Sequence, residues 1–187
     1  MYNKFMEEYI DIYDNEGNLL GKKTRKESHE NGFWHKTVHV WIINSKGEVL
    51  IQKRSTQKEN NANKWSGSVG GHISAGDNEI NTAIKETEEE LNLKLSKEDF
   101  VEIGKIKHSA TTGKYINNEI KTIYVVKMDL DLNKIKIQKE ELSEVKFIKF
   151  NELKELIENK DSIFVMLPEE YIKLLFDYIN LKIIPGL

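Results

Sequence analysis

Apolar and polar side chains alternate most regularly at residues 36–44 of this chain. Along an extended backbone, one face carries Val38, Val40 and Ile42, and the other carries His35, Thr37, His39 and Trp41. A period of two residues is typical of a half-buried strand. The turn signal Ser45-Lys46-Gly47 then leads into a second predicted strand at residues 48–54. His39 and His108 are expected to lie on strand surfaces.

A second alternating stretch, residues 9–13, lies near the N-terminus and is followed by the turn signal Asp14-Asn15-Glu16-Gly17. The pattern predicts an N-terminal β-hairpin at about 8–21. Residues 22–32 are polar and charged, and they are expected to form a connector. Further strands are expected at about 100–108, 115–128 and 145–150, and further helices at about 151–159 and 168–179.

A helix is predicted at residues 78–91, where apolar residues recur every three or four positions. At about 100° per residue, the helix gathers these side chains on one side: Ile80, Ala83, Ile84, Thr87 and Leu91. Asp77 is well placed as the N-cap. Hairpins and helices mixed in this order indicate an α/β layered fold rather than a doubly wound sheet.

Three carboxylates, those of Glu86, Glu89 and Glu90, share a strip of this helix beside its apolar side. Neighbouring pairs repel by roughly 0.2–0.5 kcal/mol each in an isolated helix. A bound Mg²⁺ or Mn²⁺ would remove that repulsion, because such ions prefer oxygen ligands. A solvated acidic face is the alternative interpretation. The glycine turn at Gly70 and Gly71 favours the metal site, since a backbone loop can help to hold the ion.

The composition restricts the classes of function. The chain has 187 residues, of which 39% are hydrophobic and 32% charged, and it contains no cysteine. These values indicate one globular domain over residues 1–187, and the lack of cysteine fits a cytoplasmic location. A formal net charge of −3 implies no general attraction to nucleic acid or to a membrane surface. We expect neither a signal peptide nor a span of roughly 18 apolar residues.

The glycine turn and the helix resemble the signature of the Nudix hydrolases. That signature is Gly, five residues, Glu, seven residues, Arg-Glu, an apolar residue, any residue, Glu-Glu, any residue, Gly and an apolar residue. Its positions are held here by Gly71, Asp77, Lys85, Glu86, Thr87, Glu89, Glu90, Asn92 and Leu93. Four of these residues differ in type from the signature: Asp77, Lys85, Thr87 and Asn92. Lys85 keeps the positive charge without the bidentate fork of arginine, and Asn92 suits a left-handed helix end.

The resemblance extends to the Nudix subgroup related to isopentenyl-diphosphate isomerase. Four stretches carry this resemblance: the strand that begins near His35, the strand that ends at Arg54, the segment from Lys64 to His72, and residues 141–150. It implies a Nudix-type α/β/α sandwich with a mixed β-sheet and an N-terminal β-hairpin. The Nudix core would span about 33–165, and the C-terminal helix about 168–179.

Isomerases of this subgroup hold a metal with three histidines and a glutamate, and they move protons with a cysteine and a second glutamate. By resemblance the histidines would be His29, His35 and His72. The cysteine position is Gly70, and the metal-side glutamate position is Asn117, while the neighbouring Glu119 is retained. Without the thiol the proton chemistry is lost. Because the helix glutamates are intact, the sequence favours hydrolysis over isomerisation.

The resemblance implies metal-assisted hydrolysis of a nucleoside diphosphate linked to another moiety. Expected metal ligands are the carbonyl of Gly70 and the carboxylates of Glu86, Glu89 and Glu90, with Mg²⁺ or Mn²⁺ as the cofactor. Expected catalytic residues are Glu86, Glu89 and Glu119, with Glu141 and Glu144 as further candidates for a ligand or base. Lys85 and Asp77 would support the helix from outside the metal site.

Expected substrate-binding residues are Lys53, Arg54, Trp65 and His72, at the ends of strands and in the glycine turn. The expected partner is a small-molecule diphosphate, selected by the 55–64 loop and the 108–118 hairpin, and a homodimer is compatible with the family. Two alternatives remain open: isopentenyl-diphosphate isomerase-like activity and a non-catalytic module that binds a nucleotide.

Overall fold

The computed structural model describes residues 7–58 and 60–183, with the side chain of Thr112 excepted. Within these residues nine strands form one mixed sheet. They are β1 (Tyr9–Tyr13), β2 (Leu19–Thr24), β3 (Trp34–Ile43), β4 (Glu48–Arg54), β5 (Trp65–Ser66), β6 (Val69–His72), β7 (Phe100–Thr112), β8 (Tyr115–Lys127) and β9 (Leu142–Lys149). The α-helices are α1 (Arg25–Asn31), α2 (Glu79–Leu91), α3 (Phe150–Glu158) and α4 (Glu169–Tyr178).

Strand β3 is the centre of the sheet. It pairs antiparallel with β1, β4 and β6, and parallel with β8. Strands β7 and β8 form a long antiparallel hairpin, and β9 pairs with β4 on the other side. The parallel β3–β8 pair requires a long crossover connection, which contains α2.

The sheet is covered on both faces. Helix α2 packs on the face that carries Val38, Val40 and Ile42, where Ala83 and Leu91 are fully buried. Helices α3 and α4 pack on the opposite face, with Trp41, Ile43, Val49, Ile51, Leu153, Tyr171 and Leu175 in that core. The α/β/α sandwich with a mixed sheet and an N-terminal hairpin is therefore confirmed. Among the described residues, no helix is long and apolar enough to cross a membrane.

Helix α1 lies inside the stretch that was expected to be a connector. Thr24 and Glu27 form a capping box, and Gly32 ends the helix with a φ of 68°. The capping-box spacing of Thr24 and Glu27 was the sequence signal for this helix. The short length of α1, seven residues, hides its period from the pattern of apolar residues.

The N-cap of α2 is Asn78, whose side chain accepts a hydrogen bond from the backbone N–H of Asn81. The expectation that Asp77 caps this helix is therefore wrong by one residue. Asp77 is exposed, and its Oδ1 accepts a hydrogen bond from the backbone N–H of Asn78 instead. At the other end Asn92 has a φ of 54°, the left-handed helix end expected for this position.

Candidate metal and substrate site

The glycine turn and helix α2 meet at Gly71 and Glu86. A Cβ atom on Gly71 would lie 2.6 Å from Glu86 Oε1 and 2.7 Å from Glu86 Cγ. Those separations are far below van der Waals contact, so a larger residue at this position would displace the carboxylate. Glycine therefore allows the glutamate to lie directly against the backbone of β6, whereas a side chain at this position would force Glu86 into another rotamer.

Glu90 is almost fully buried, with 4% of its surface exposed. Gln52 Nε2 on β4 donates a hydrogen bond of 3.2 Å to Glu90 Oε2. Burial, followed by the charge of Glu86, raises the pKa of Glu90 well above its usual value. Burial and the charge of Glu89 raise the pKa of Glu86 to about 7. Two desolvated carboxylates that repel each other form a site that a divalent cation would stabilise.

Glu89 lies on the solvent side of this pair. Its carboxylate is about half exposed and lies 3.9 Å from Lys85 Nζ, one helical turn earlier. Lys85 is thus a neighbour of the predicted site, and it contacts Glu89 rather than the two buried glutamates. The exposed carboxylate of Glu89 is free to reach a metal or a metal-bound water from solvent.

Arg54 lies close to the acidic site. Its Nε and Nη2 atoms donate to the carbonyl of Asn60 at 3.2 and 3.1 Å, which attaches the strand end to the 55–64 loop. Burial lowers the pKa of Arg54, and the charges of Glu90 and Glu141 oppose that shift. Lys58 from the same loop forms an ion pair with Glu141. The structure therefore places one guanidinium and one ammonium group at the acidic end of α2.

Sequence reasoning missed Gln52 and Lys58. Gln52 is polar within the apolar stretch of β4 and is 3% exposed, and its Nε2 donates the hydrogen bond to Glu90. That position breaks the apolar pattern of the strand, and this break was the available signal. Lys58 lies in a polar loop, where no pattern distinguishes it from its neighbours.

The three histidines come together from separate elements. His29 lies on α1, His35 on β3 and His72 on β6, and one ring nitrogen from each lies within 4.8 Å of the others. The Nε2 atoms of His29 and His72 are 3.2 Å apart. His35 Nδ1 donates to the carbonyl of Phe33 at 2.9 Å, which leaves Nε2 buried and without a hydrogen-bond partner among the described residues.

Burial keeps these rings neutral. It lowers the pKa of His29 to about 3 and that of His35 to about 4, and it lowers the pKa of His72 well below its usual value. Neutral imidazole is the form that binds metal ions. The bare Nε2 of His35 therefore fits a metal ligand, and the donor set fits a transition metal better than Mg²⁺.

Glu119 lies with the histidines. The parallel register of β3 and β8 places Glu119 opposite His35, and Glu119 is 8% exposed. Its carboxylate forms an ion pair with Lys121, whose pKa burial lowers to about 8. Among the described residues, the hydrogen bond that Glu119 accepts comes from Lys121, and none links it to the helix glutamates. Glu144, another candidate, is exposed and pairs across the strands with Lys53.

Trp65 is part of the core rather than of the site. It is 8% exposed and belongs to the cluster beneath α3 and α4. Lys146 Nζ lies 4.2 Å and Lys53 Nζ 5.9 Å from its ring centroid. The expectation that Trp65 binds substrate therefore gains no support from its position, because the ring is buried and contacts these lysines. Lys53 lies beside this ring, whereas Arg54 interacts with Glu90 on the side of α2.

His39 is not a strand-surface residue, contrary to the expectation for it. Its side chain is partly buried, and Nδ1 lies 3.1 Å from the hydroxyl of Tyr171 on α4. Tyr171 is fully buried. The sequence predicted a helix at about 168–179, but the residues that Tyr171 on this helix contacts across the sheet depend on the tertiary fold.

Comparisons with known proteins agree with this architecture. The family model of the NUDIX domain matches residues 33–167. An uncharacterised Nudix hydrolase of Clostridium acetobutylicum is 34% identical over 162 residues, which cover 84% of this chain and 78% of that protein. An isopentenyl-diphosphate Δ-isomerase of Serratia proteamaculans is 26% identical over 121 residues, which cover 64% of this chain and 66% of that protein.

The fold is also similar to a solved structure. The crystal structure of the protein DR0079 from Deinococcus radiodurans superposes with a TM-score of 0.69, covers 91% of this chain and 99% of that chain, and is 18% identical. That likeness bears on the fold, while the family model and the Clostridium relative bear on ancestry. Together with the glycine turn, the buried glutamates and the signature spacing, they lead to one conclusion. The chain belongs to the Nudix hydrolase family, whose members act on pyrophosphate bonds.

Proposed function

We propose that this protein is a Mg²⁺- or Mn²⁺-dependent pyrophosphohydrolase that acts on a nucleoside diphosphate linked to another moiety. One observation carries the proposal: Glu86 and Glu90 are desolvated and repel each other, and Glu86 lies against Gly71 in the glycine turn. An arrangement that lowers stability without a ligand is typical of a binding site.

The residues fit a hard divalent cation. Glu86, Glu90 and the carbonyl of Gly70 would hold it, with Glu89 reaching it from solvent, and all four offer oxygen. When bound, the ion supplies Lewis-acid polarisation of the diphosphate. Gln52 keeps the Glu90 carboxylate in place through its hydrogen bond. Glu89 is the candidate base for the attacking water, because its half-exposed carboxylate can reach a water beside the ion.

Arg54 and Lys58 are the candidate diphosphate-binding residues. Both lie near Glu90 and Glu141 and carry the positive charge that phosphate oxygens require. The 55–64 loop supplies Lys58 and accepts hydrogen bonds from Arg54, so it would border the substrate. Lys53 lies beside the ring of Trp65 and is a weaker candidate.

A panel of diphosphate-linked nucleotides, assayed with Mg²⁺, Mn²⁺ or EDTA, tests the proposal. We expect turnover of at least one compound with either metal and none with EDTA. Tight binding of a nucleotide with no turnover under any condition would favour the non-catalytic module instead.

The second candidate is isomerase-like activity, and the histidine cluster with its bare His35 Nε2 favours it. Gly70 opposes it, because this position offers no thiol to move a proton. Incubation with isopentenyl diphosphate in D₂O, followed by NMR, distinguishes the two. We expect no deuterium in the isoprenoid unit, and incorporation would establish the isomerase.

A further inference from the structure

A chain of hydrogen bonds connects the core beneath α4 to the glycine turn. Trp41 Nε1 donates to the hydroxyl of Tyr171 at 2.7 Å, and that hydroxyl lies 3.1 Å from His39 Nδ1. Trp41 and Tyr171 are almost completely buried. His39 is partly exposed and is therefore the end of the chain that approaches solvent.

The direction of these hydrogen bonds follows from the donors and acceptors available. The indole N–H is a donor only, so the hydroxyl oxygen of Tyr171 is the acceptor in the first bond. The hydroxyl proton then needs an acceptor of its own, and among the described residues that acceptor is His39 Nδ1. The reverse arrangement, with Nδ1–H donating, would leave a buried hydroxyl proton without a partner. His39 is therefore the Nε2–H tautomer.

The same ring stays neutral across the working pH range. Burial, followed by the positive charges of Lys121 and Arg54, lowers the pKa of His39 to about 3. The ring is thus within electrostatic range of Arg54, the residue to which the proposed function assigns the diphosphate. An N–H donor in this position suits the same phosphate oxygens that Arg54 would bind.

The Nε2 edge of the ring faces the glycine turn. His39 is paired across the strands with Gly70, which is exposed. A Cβ atom on Gly70 would lie 3.9 Å from His39 Cδ2, the ring atom bonded to Nε2. Because glycine has no side chain, this edge is left open, and Nε2 has no hydrogen-bond partner among the described residues.

We propose that His39 is a substrate-binding residue whose Nε2–H donates a hydrogen bond to a phosphoryl oxygen of the diphosphate beside Gly70. Tyr171 is the positioning residue that fixes this tautomer. The assignment rests on the proposed function for the identity of the ligand. The tautomer of His39 is independent of that function, because the buried hydroxyl of Tyr171 determines it.

Nitrogen-15 NMR of the histidine rings tests the tautomer without any ligand. We expect His39 Nε2 at a protonated shift and Nδ1 at an unprotonated shift throughout pH 5–8. Tyr171→Phe should release the ring into a mixture of tautomers, whereas Tyr178→Phe on the same helix should leave it unchanged. A wild-type ring with the proton on Nδ1, or one that titrates within this range, would overturn the inference.

Binding of methylenediphosphonate, a diphosphate that resists hydrolysis, tests the ligand in the presence of Mg²⁺. His39→Leu should weaken binding about tenfold, because losing one hydrogen bond to a charged group changes an affinity by about that factor. His39→Gln retains a donor near the Nε2 position and should recover most of the affinity. Equal binding by wild type and His39→Leu would overturn the role of His39 alone. Failure of the wild-type protein to bind this probe would overturn that role together with the proposed function.

Discussion

Single residues determine whether the glutamates can share one site, and Gly71 is the clearest case. Its missing side chain is the space in which Glu86 lies. The sequence alone gave Gly71 and Glu86 as members of one signature, and it predicted a metal site from the repulsion between glutamates. It could not show that the two residues touch, because that contact joins a strand to a helix fifteen residues later.

Substitution of Gly71 tests this contact. Gly71→Ala should displace Glu86. It should weaken Mn²⁺ binding by at least about tenfold, because Glu86 would no longer be held in the orientation that binds the metal. Glu88→Gln is the control, since this glutamate of the same helix is exposed and pairs with Lys94. Isothermal titration calorimetry measures both affinities. Equal affinities for the two variants would contradict the steric role of Gly71.

The raised pKa of Glu86 predicts a pH-dependent stability. Because the folded protein retains a proton that the unfolded chain loses above about pH 4.5, the free energy of unfolding falls as pH rises from there to about 7. Glu86→Gln should therefore stabilise the protein in EDTA at pH 8, by on the order of 1–3 kcal/mol, with little effect at pH 4. Urea denaturation at the two pH values measures this. A variant less stable than wild type at pH 8 would count against a desolvated Glu86.

At the scale of elements, patterns of apolar residues predicted the long strands and α2 well and the short helix α1 not at all. Helix α1 carries His29 into the histidine cluster, so the missed element is one that builds a site. Strand β3 and helix α2 are long enough for several repeats of their period. The seven residues of α1 are held by a capping box and by contacts with the sheet, which no period reveals.

The capping box of α1 can be tested directly. Thr24→Ala removes the oxygen that accepts from the backbone N–H of Glu27 at 3.1 Å and should lower the free energy of unfolding by about 1 kcal/mol. Thr24→Ser keeps that oxygen and should stay within a few tenths of wild type. Urea denaturation compares the two variants. An equal loss in both would mean that the methyl group of Thr24, rather than its hydroxyl, stabilises this end of the helix.

At the scale of the whole molecule, the sheet decides which residues meet. The parallel pairing of β3 with β8 places Glu119 opposite His35, and the pairing of β3 with β6 places Gly70 opposite His39. Neither register could be derived from the sequence, because both join segments far apart in the chain. For the same reason Glu119 was expected as a catalytic residue, and Gln52 and Tyr171 were not connected to any site.

Metal binding should couple to the stability of the entire fold. A ligand that binds the folded state alone raises the free energy of unfolding by about 2.7 kcal/mol at one hundred times its dissociation constant. Mg²⁺ should therefore raise the melting temperature of the wild-type protein in a concentration-dependent manner. The rise in melting temperature should be much smaller in Glu90→Gln. Thermal unfolding followed by circular dichroism compares the two proteins. A shift of equal size in both proteins would locate the stabilising ion away from Glu90.

The central claim is that the buried glutamates of α2 hold the metal that drives hydrolysis. Its most direct test is the Mg²⁺-dependent rate of Glu90→Gln on the best substrate of the panel, beside Glu88→Gln as a control. Glu88 lies on the same helix, is exposed and pairs with Lys94 at 3.6 Å. We predict that Glu90→Gln lowers kcat by at least about a hundredfold, while Glu88→Gln stays near wild type. Wild-type turnover by Glu90→Gln would contradict the account.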